Sequence, residues 1–396
     1  MTSTFRIQSI DALRAITMLL MIWVNDFWTL SAVPHWLEHM PADVDALGFS
    51  DVIFPAFLFI VGLSIPFAID QRKRKGESQT SIARHIASRS AALLVMGILM
   101  VNLDSYHAPS APLPKPLWQV LMTIGFFLIW NVYPKRGLGQ KTILGLKAGG
   151  LLLLAFLAAT FRSDPENGYN WLEPHWWGIL GLIGWSYLLA AFLYLLSGGK
   201  TVWVATGWAF LSLLNIAAFA GMLESAALVR DHVWIITDGA LPALTTAGVL
   251  VSTLYLQVLQ KRGSAAFIGF LVTFGVLALV AGLAFRPFWG ISKILGTPAW
   301  TQICTGITAL AFAFMYWLMD TKNISAWYRW IRPAGVATLT CYLVPYLVYP
   351  ISHWLGIELP DSLTHGAIGL LKSFFFALMI IAITGLINRA GVKLKI

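Results

Sequence analysis

The sequence predicts an all-α fold: a polytopic helical bundle in a membrane, a single domain over residues 1–396, with about 10–12 transmembrane helices. Three observations carry this. Of the 396 residues, 58% are hydrophobic and 11% charged, and the mean hydropathy is +0.73. A soluble domain is about 45–50% apolar and about 25% charged. Apolar runs of spanning length recur along the whole chain, and basic residues alternate between the connections as membrane insertion demands.

A spanning helix needs about 20 mostly apolar residues. Twelve such runs stand between charged breaks and Gly/Pro clusters. The first four lie near 11–30, 52–70, 82–103 and 117–133, the fourth being short and the loop Asp104 to Lys115 before it a candidate re-entrant segment. The next four lie near 142–161, 177–197, 201–222 and 239–260, and the last near 265–285, 299–319, 334–355 and 364–387. No internal repeat is evident, and no connection is long enough for a soluble domain.

With the N-terminus in the cytoplasm, 21 of the 27 Lys and Arg residues fall inside. They are Arg6, Arg14, Arg72-Lys73-Arg74-Lys75, Arg84, Arg89, Lys135, Arg136, Lys141, Lys147, Lys200, Lys261, Arg262, Lys322, Arg329, Arg332, Arg389, Lys393 and Lys395. Lys115, Arg162, Arg230, Arg286 and Lys293 fall outside, and Lys372 sits in the last span. Of the acids, Asp11, Asp70, Glu77 and Asp320 alone lie inside. The asymmetry predicts an inner-membrane protein with both termini cytoplasmic. No small-residue cleavage site follows the first span, so a cleavable signal peptide is not expected.

The composition excludes disorder, a secreted disulfide scaffold and an ordinary cytosolic enzyme. The net charge of +9 is explained by the inner loops, so nucleic acid is not an expected partner. Cys304 and Cys341 both lie in apolar runs, and no metal-ligand spacing such as His-x-x-x-His occurs. Membrane lipids are expected partners, and a homodimer is left open.

Polar residues at membrane depth are costly, so they are the informative ones. The first hairpin is the richest stretch. Asp11 and Arg14, three apart at the entry of the first helix, share a face and can pair; the carboxylate also suits the exposed N–H groups there. The bland reading is a structural cap with a snorkelling arginine, the functional one an anionic site at the cytoplasmic mouth. Asn25 and Asp26 close the same helix, about 16 Å from Arg14 at 1.5 Å per residue. The loop after it holds His35, Glu38, His39, Asp43 and Asp45 before Asp51 opens the next helix. A lone loop histidine is usually unremarkable, but beside carboxylates it is the usual general base at neutral pH. Asp51 is either a helix cap or the group that orients the imidazole, or both. Elsewhere the outer loop 162–177 is aromatic and polar, with Arg162, Asp164, Glu166, Asn167, Tyr169, Asn170, Trp171, Glu173, His175, Trp176 and Trp177. Such aromatics are interface anchors or a sugar-binding face. Arg286 and Lys293 form another outward patch, and His353 and His365 flank the last outer loop.

Three blocks carry a resemblance. Ser9-Ile10-Asp11-Ala12-Leu13-Arg14-Ala15, Met21-Ile22-Trp23-Val24-Asn25 and Asp51-Val52-Ile53-Phe54-Pro55-Ala56-Phe57 through Ile65 resemble the heparan-α-glucosaminide N-acetyltransferase family in its bacterial form. Weaker matches follow at Leu117-Trp118-Gln119-Val120-Leu121, at Lys293 with Trp300 through Asp320, and from Pro333-Ala334-Gly335. The strongest signature covers about residues 9–70. Two departures stand out: the usual Arg-Gly is Arg14-Ala15 here, and the histidine-to-aspartate spacing is longer.

The resemblance implies a transmembrane acyltransferase. Acetyl-CoA, the co-substrate on the cytoplasmic side, gives its acetyl group to the amino group of a glucosamine-type sugar or glycan outside. It implies Asn25, His39 (with His35 as the alternative) and Asp51 as catalytic residues. The expected roles are an oxyanion donor for Asn25, a base or acetyl carrier for His39 and an imidazole partner for Asp51. Arg14, Asp11 and Lys293 are the candidates for holding the donor, with Arg84 and Lys322 as further basic residues near its nucleotide; no metal is expected. The rival readings are a transporter or flippase for a sugar or glycan, and a scaffold or sensor. A transporter predicts coupling acids deep in several spans, whereas most carboxylates here lie at the rims.

Overall fold

The computed structural model describes residues 7–133, 138–164, 170–223, 234–236 and 238–396. Apolar periodicity with few breakers makes nearly every element a helix. They are α1 (Gln8–Asn25), α2 (Ser50–Arg74), α3 (Gln79–Val101), α4 (Lys115–Trp130), α5 (Gln140–Thr160), α6 (Gly178–Leu196) and α7 (Thr201–Phe219). After these come α8 (Ala240–Arg262), α9 (Ser264–Trp289) and α10 (Pro298–Thr321). The chain closes with α11 (Arg332–Val336), α12 (Thr338–Leu343), α13 (Pro345–Trp354) and α14 (Gly366–Arg389). Among the described residues there is no strand, only three isolated bridges.

Nine of these helices are long and apolar enough to cross a membrane. Helix α4 is shorter at 16 residues, and α1 has 18. Each of the twelve apolar runs therefore corresponds to helical chain, with one difference. The run near 334–355 is not one helix but three short ones. Ala337 leaves the helical region at φ −119° and ψ 49°, and Pro345, which lacks an N–H, opens the third piece. The stretch from Asp104 to Lys115 is not a re-entrant helix. It folds as turns whose Tyr106 packs on Trp118 and Phe161, each ring 5.6 Å away.

Burial separates a centre from a rim. In the most apolar window of α8, 78% of residues are buried, against 17% in α5 and in α7. Helices α2 and α10 are central with α8, and α5, α7, α9 and α14 turn large apolar side chains such as Leu152, Phe210, Leu277 and Phe375 outward. Such outward surface suits lipid. Helices α2 and α8 touch backbone to backbone. A Cβ on Gly62 would lie 1.9 Å from the Thr245 carbonyl oxygen, and one on Gly248 would lie 2.0 Å from that of Phe59. Only glycine fits at that crossing.

The two ends of the bundle differ. At the basic end, the backbone N–H groups of Gln8 and Ser9 donate to the Asp320 carboxylate at 2.9 and 3.0 Å. Asp320, at the end of α10, thus caps α1, the role that Asp11 was expected to fill. Residues 393–395 pair with Trp130, Asn131 and Val132 at the same end. The opposite end carries the loop 26–49, which leads from α1 back into α2.

Candidate active site

Loop 26–49 is wound by short turns over Phe27–Thr29 and His35–Leu37. It is pinned to α2 because Phe49 N–H donates to the Trp36 carbonyl and Ser50 Oγ donates to the Leu37 carbonyl. That folding delivers His39 to Asp51. The Nδ1 of His39 lies 2.8 Å from Asp51 Oδ1, with the imidazole 46% exposed and the carboxylate only 2% exposed. The other carboxylate oxygen accepts the N–H groups of Met40 at 3.1 Å and Gly48 at 3.0 Å. Asp51 therefore spends its oxygens on the loop and the imidazole and does not cap its own helix. A Cβ at Gly48 would fall 1.9 Å from the Glu38 carbonyl oxygen, so glycine is required for the loop to close this tightly. Behind the site, the Trp300 indole N–H donates to the Asp51 carbonyl at 3.2 Å.

Lys293, on the connection from α9 to α10, sits over the imidazole. Its Nζ lies 3.0 Å from His39 Nδ1, 3.3 Å from Nε2 and 3.9 Å from Asp51 Oδ1. Burial lowers the Lys293 pKa to about 8, and the Asp51 carboxylate offsets part of that fall. The connection is held down by Asp45, which takes Arg286 Nε at 2.9 Å and the Ile291 N–H at 2.7 Å. The Arg286 hydrogen bond, then the Ile291 one, hold the Asp45 carboxyl below its ordinary range. Arg286 is thereby tied up in a structural pair.

The sequence-derived candidates divide into three groups. His39 and Asp51 meet as expected, while His35 is exposed on its turn and makes no hydrogen bond through its ring among the described residues. Lys293 joins them rather than the Arg14 pair. Asn25 does not: it lines a cavity of about 670 Å³ with Trp28, Asp104, Lys115, Gln119 and Tyr349. The reason is helical phase. Trp23 packs on Phe49, beside Asp51, and two further residues turn Asn25 by about 200° to the other side of α1.

Arg14 and Asp11 pair at 3.1 Å, as their spacing predicts. Arg14 also donates to Ser64 Oγ at 2.5 Å and to the Gly335 carbonyl at 3.3 Å. It opens on a cavity of about 350 Å³ that also takes Arg89, Tyr187, Lys395, Ser64 and Thr338 and is otherwise largely apolar, with Met18, Met21, Phe57 and Val61. Sequence reasoning missed Arg89 as a site residue. Its guanidinium lies 4.6 Å from the Tyr187 ring centroid, and its buried Nε has no hydrogen-bond partner among the described residues. Arg84 does not line this cavity, and Lys322 lies over the Trp317 ring. A small cavity of about 110 Å³, bounded by Leu103, Asp104, Ile179, Leu180, Tyr342 and Tyr346, lies between the other two. Tyr342 borders all three cavities.

Asp26, next to Asn25, is a second buried carboxylate. It accepts from Lys372 Nζ at 2.9 Å, Tyr349 OH at 2.6 Å and Ser373 Oγ at 2.5 Å. Lys372, a cation within an apolar helix, was the sequence signal for such a partner. In the outer loop, Asn102 exchanges two hydrogen bonds with the Glu173 backbone, and Trp171 donates to the Ala158 carbonyl. Glu166, Asn167 and Tyr169 lie outside the described residues, as do Arg6, Lys135, Arg136 and Arg230. His365 meets Ser31 at 3.1 Å. Among the described residues no three His, Cys, Asp or Glu side chains are grouped to hold a metal ion.

Comparison with known proteins agrees with the resemblance. Residues 6–159 match the family described as heparan-alpha-glucosaminide N-acetyltransferase, catalytic. The Homo sapiens heparan-alpha-glucosaminide N-acetyltransferase is 33% identical over 101 residues, which cover 24% of this chain and 14% of that protein. The Mus musculus protein of the same name is 28% identical over 105 residues, covering 26% of this chain and 15% of the relative. The matched region contains Arg14, Asn25, His39 and Asp51, with both α1 and α2. Residues 6–159 of this multi-pass helical protein are thus similar to the heparan-α-glucosaminide N-acetyltransferase catalytic family, and the chain matches only about one seventh of the length of these relatives.

Proposed function

We propose that this chain transfers the acetyl group of cytoplasmic acetyl-CoA to the amino group of a glucosamine-type sugar or glycan on the outer, periplasmic side of the inner membrane. The observation that carries the reading is the series of cavities meeting at Tyr342. It runs from a pocket with Arg14, Arg89 and Lys395 to one with Asn25 at the opposite end of α1. An acyl-CoA has this shape: a charged nucleotide that stays at a basic surface and a thin arm that can follow an apolar passage. The orphaned Arg89 Nε and the single carboxylate beside two arginines favour an anionic occupant. The excess of basic residues at this end supports placing it in the cytoplasm.

At the outer end, Asn25 supplies a hydrogen bond to the oxyanion that forms when the amine attacks the thioester carbon. His39 takes the proton that the amine loses, and Asp51 keeps the imidazole in the tautomer that can accept it. The C–N bond forms, the C–S bond breaks and the thiolate leaves towards the basic end. Direct transfer and a route through an acetyl-imidazole on His39 use the same groups. Asn25 and His39 face different sides of α1, so this reading requires the outer end of the bundle to close around the acceptor before both act on one amine.

The test uses purified protein in detergent with acetyl-CoA and a panel of glucosamine-ended acceptors, following free thiol. Acceptor-dependent release that disappears in Asn25→Ala and His39→Ala supports the reading. Binding of acetyl-CoA without release on any amino sugar overturns the acceptor class. A sugar or glycan transporter is the second reading, because a passage across the bundle suits a carrier as well. Acetyl-CoA should raise the melting temperature of a transferase and leave that of a carrier unchanged.

A further inference from the structure

We infer that Lys293 is a positioning residue whose charge holds His39 in its neutral, Nδ1–H form. The argument begins with a conflict of donors. His39 Nδ1 lies 2.8 Å from Asp51 Oδ1 and 3.0 Å from Lys293 Nζ, and one ring nitrogen cannot both donate to the first and accept from the second. The carboxylate is buried and accepts only, so it takes the Nδ1 proton. An ammonium has no lone pair, and Lys293 Nζ lies at nearly equal distances from the two ring nitrogens, 3.0 Å from Nδ1 and 3.3 Å from Nε2, so it stands over the face of the ring and leaves the Nε2 lone pair in the ring plane. The imidazole is then bracketed, with a carboxylate on Nδ1 and a cation over its face.

These two charges pull on the imidazole in opposite directions. Asp51 favours the doubly protonated ring, and Lys293 opposes a second proton at contact distance. The other charged and titratable groups around the site change this balance little. Asp45 is neutralised by Arg286 and the Ile291 N–H within the same connection. Glu38, beside His39 in the loop, is exposed. Cys304, on α10, meets only the Asp51 carbonyl, at 3.9 Å. With its pKa at about 8, Lys293 remains charged at neutral pH. A buried carboxylate alone favours the doubly protonated ring, which has no lone pair for a base. Lys293 opposes that from the ring face, and the in-plane lone pair of Nε2 stays open to an approaching amine. The electrostatic part stands on geometry alone; its catalytic consequence rests on His39 being the base.

The experiment measures His39 directly in the full-length protein in detergent, by site-resolved mass spectrometry of its carbethoxylation with diethyl pyrocarbonate, a reagent that attacks only the neutral imidazole. The pH midpoint should rise by about one unit or more in Lys293→Met and stay near wild type in Lys293→Arg. Lys293→Gln, which keeps a donor without the charge, replaces the methionine variant if that one fails to fold. A midpoint that does not rise in either uncharged variant overturns the inference. The acid limb of kcat/KM for acetyl transfer should move with the midpoint. A midpoint that moves while the rate profile stays fixed keeps Lys293 in its role and removes His39 from the chemistry instead.

Discussion

Asp26 and Asp51 are two carboxylates at the same end of the bundle, each 1% exposed and each near a lysine. Their surroundings separate structure from chemistry. Asp26 is closed: Lys372, Tyr349 and Ser373 fill its oxygens, and the network staples α1 to α13 and α14. Asp51 is open. It spends two backbone N–H groups on shaping a loop and presents its remaining oxygen to an imidazole whose other side faces out. Burial is equal in the two, so burial does not mark the site. What marks it is whether a buried charge is passed on to an exposed group that can exchange a proton.

The widest separation between the two comes from neutralising each. Asp51→Asn should lower transferase activity by about 10²–10⁴-fold while the protein still folds, since the imidazole loses its tautomer partner. Asp26→Ala should do the reverse in kind. It leaves Lys372 beside an empty site and should destabilise the bundle by about 3–5 kcal/mol, read as a fall in melting temperature in detergent. The double variant Asp26→Leu with Lys372→Met should regain most of that loss, because an apolar pair needs no partner. If Asp26→Ala removes activity without lowering the melting temperature, the contrast between a closed and an open carboxylate fails.

Gly48→Ala sharpens the same contrast. The new methyl must move the Glu38 carbonyl, and His39 follows the next peptide, so activity should fall by about 10²-fold with little change in melting temperature. The smallest effect belongs to the exposed Asp45–Arg286 pair. Arg286→Gln should cost under about 1 kcal/mol. The Asp45 carboxyl is held below its ordinary range, so the stability it contributes is present above that range. It is lost as pH falls through the lowered value, below about pH 4. Melting temperatures from pH 7 to pH 3 should therefore drop less steeply in Arg286→Gln than in wild type.

Much of this was legible in the chain. Twelve apolar runs lie where the helices lie, because spanning depends on local composition summed over about 20 residues. The pairing of Asp11 with Arg14 follows from a spacing of three, and His39 with Asp51 from a single short loop. The chain was silent wherever distant segments decide. Asp11 was expected to cap α1, but Asp320, more than 300 residues away, does so. Lys293 was a candidate for holding the donor, and the structure places it over His39, 254 residues back in sequence. Asn25 was grouped with His39 by proximity in the chain, and helical phase turns it into another cavity.

The sequence by itself determined that this is a helical membrane bundle, which segments are apolar helices, which family residues 6–159 match, and that the loop after the first span is the polar place to look. Hydrophobic burial and insertion are close to additive along a chain, so they can be read locally. Tertiary structure alone decided that Arg14 and Arg89 share a cavity, that Tyr342 borders three cavities and that a lysine lies over the imidazole. Those are relations between side chains on separate helices, set by the packing of each helix against its neighbours, and no local pattern encodes them.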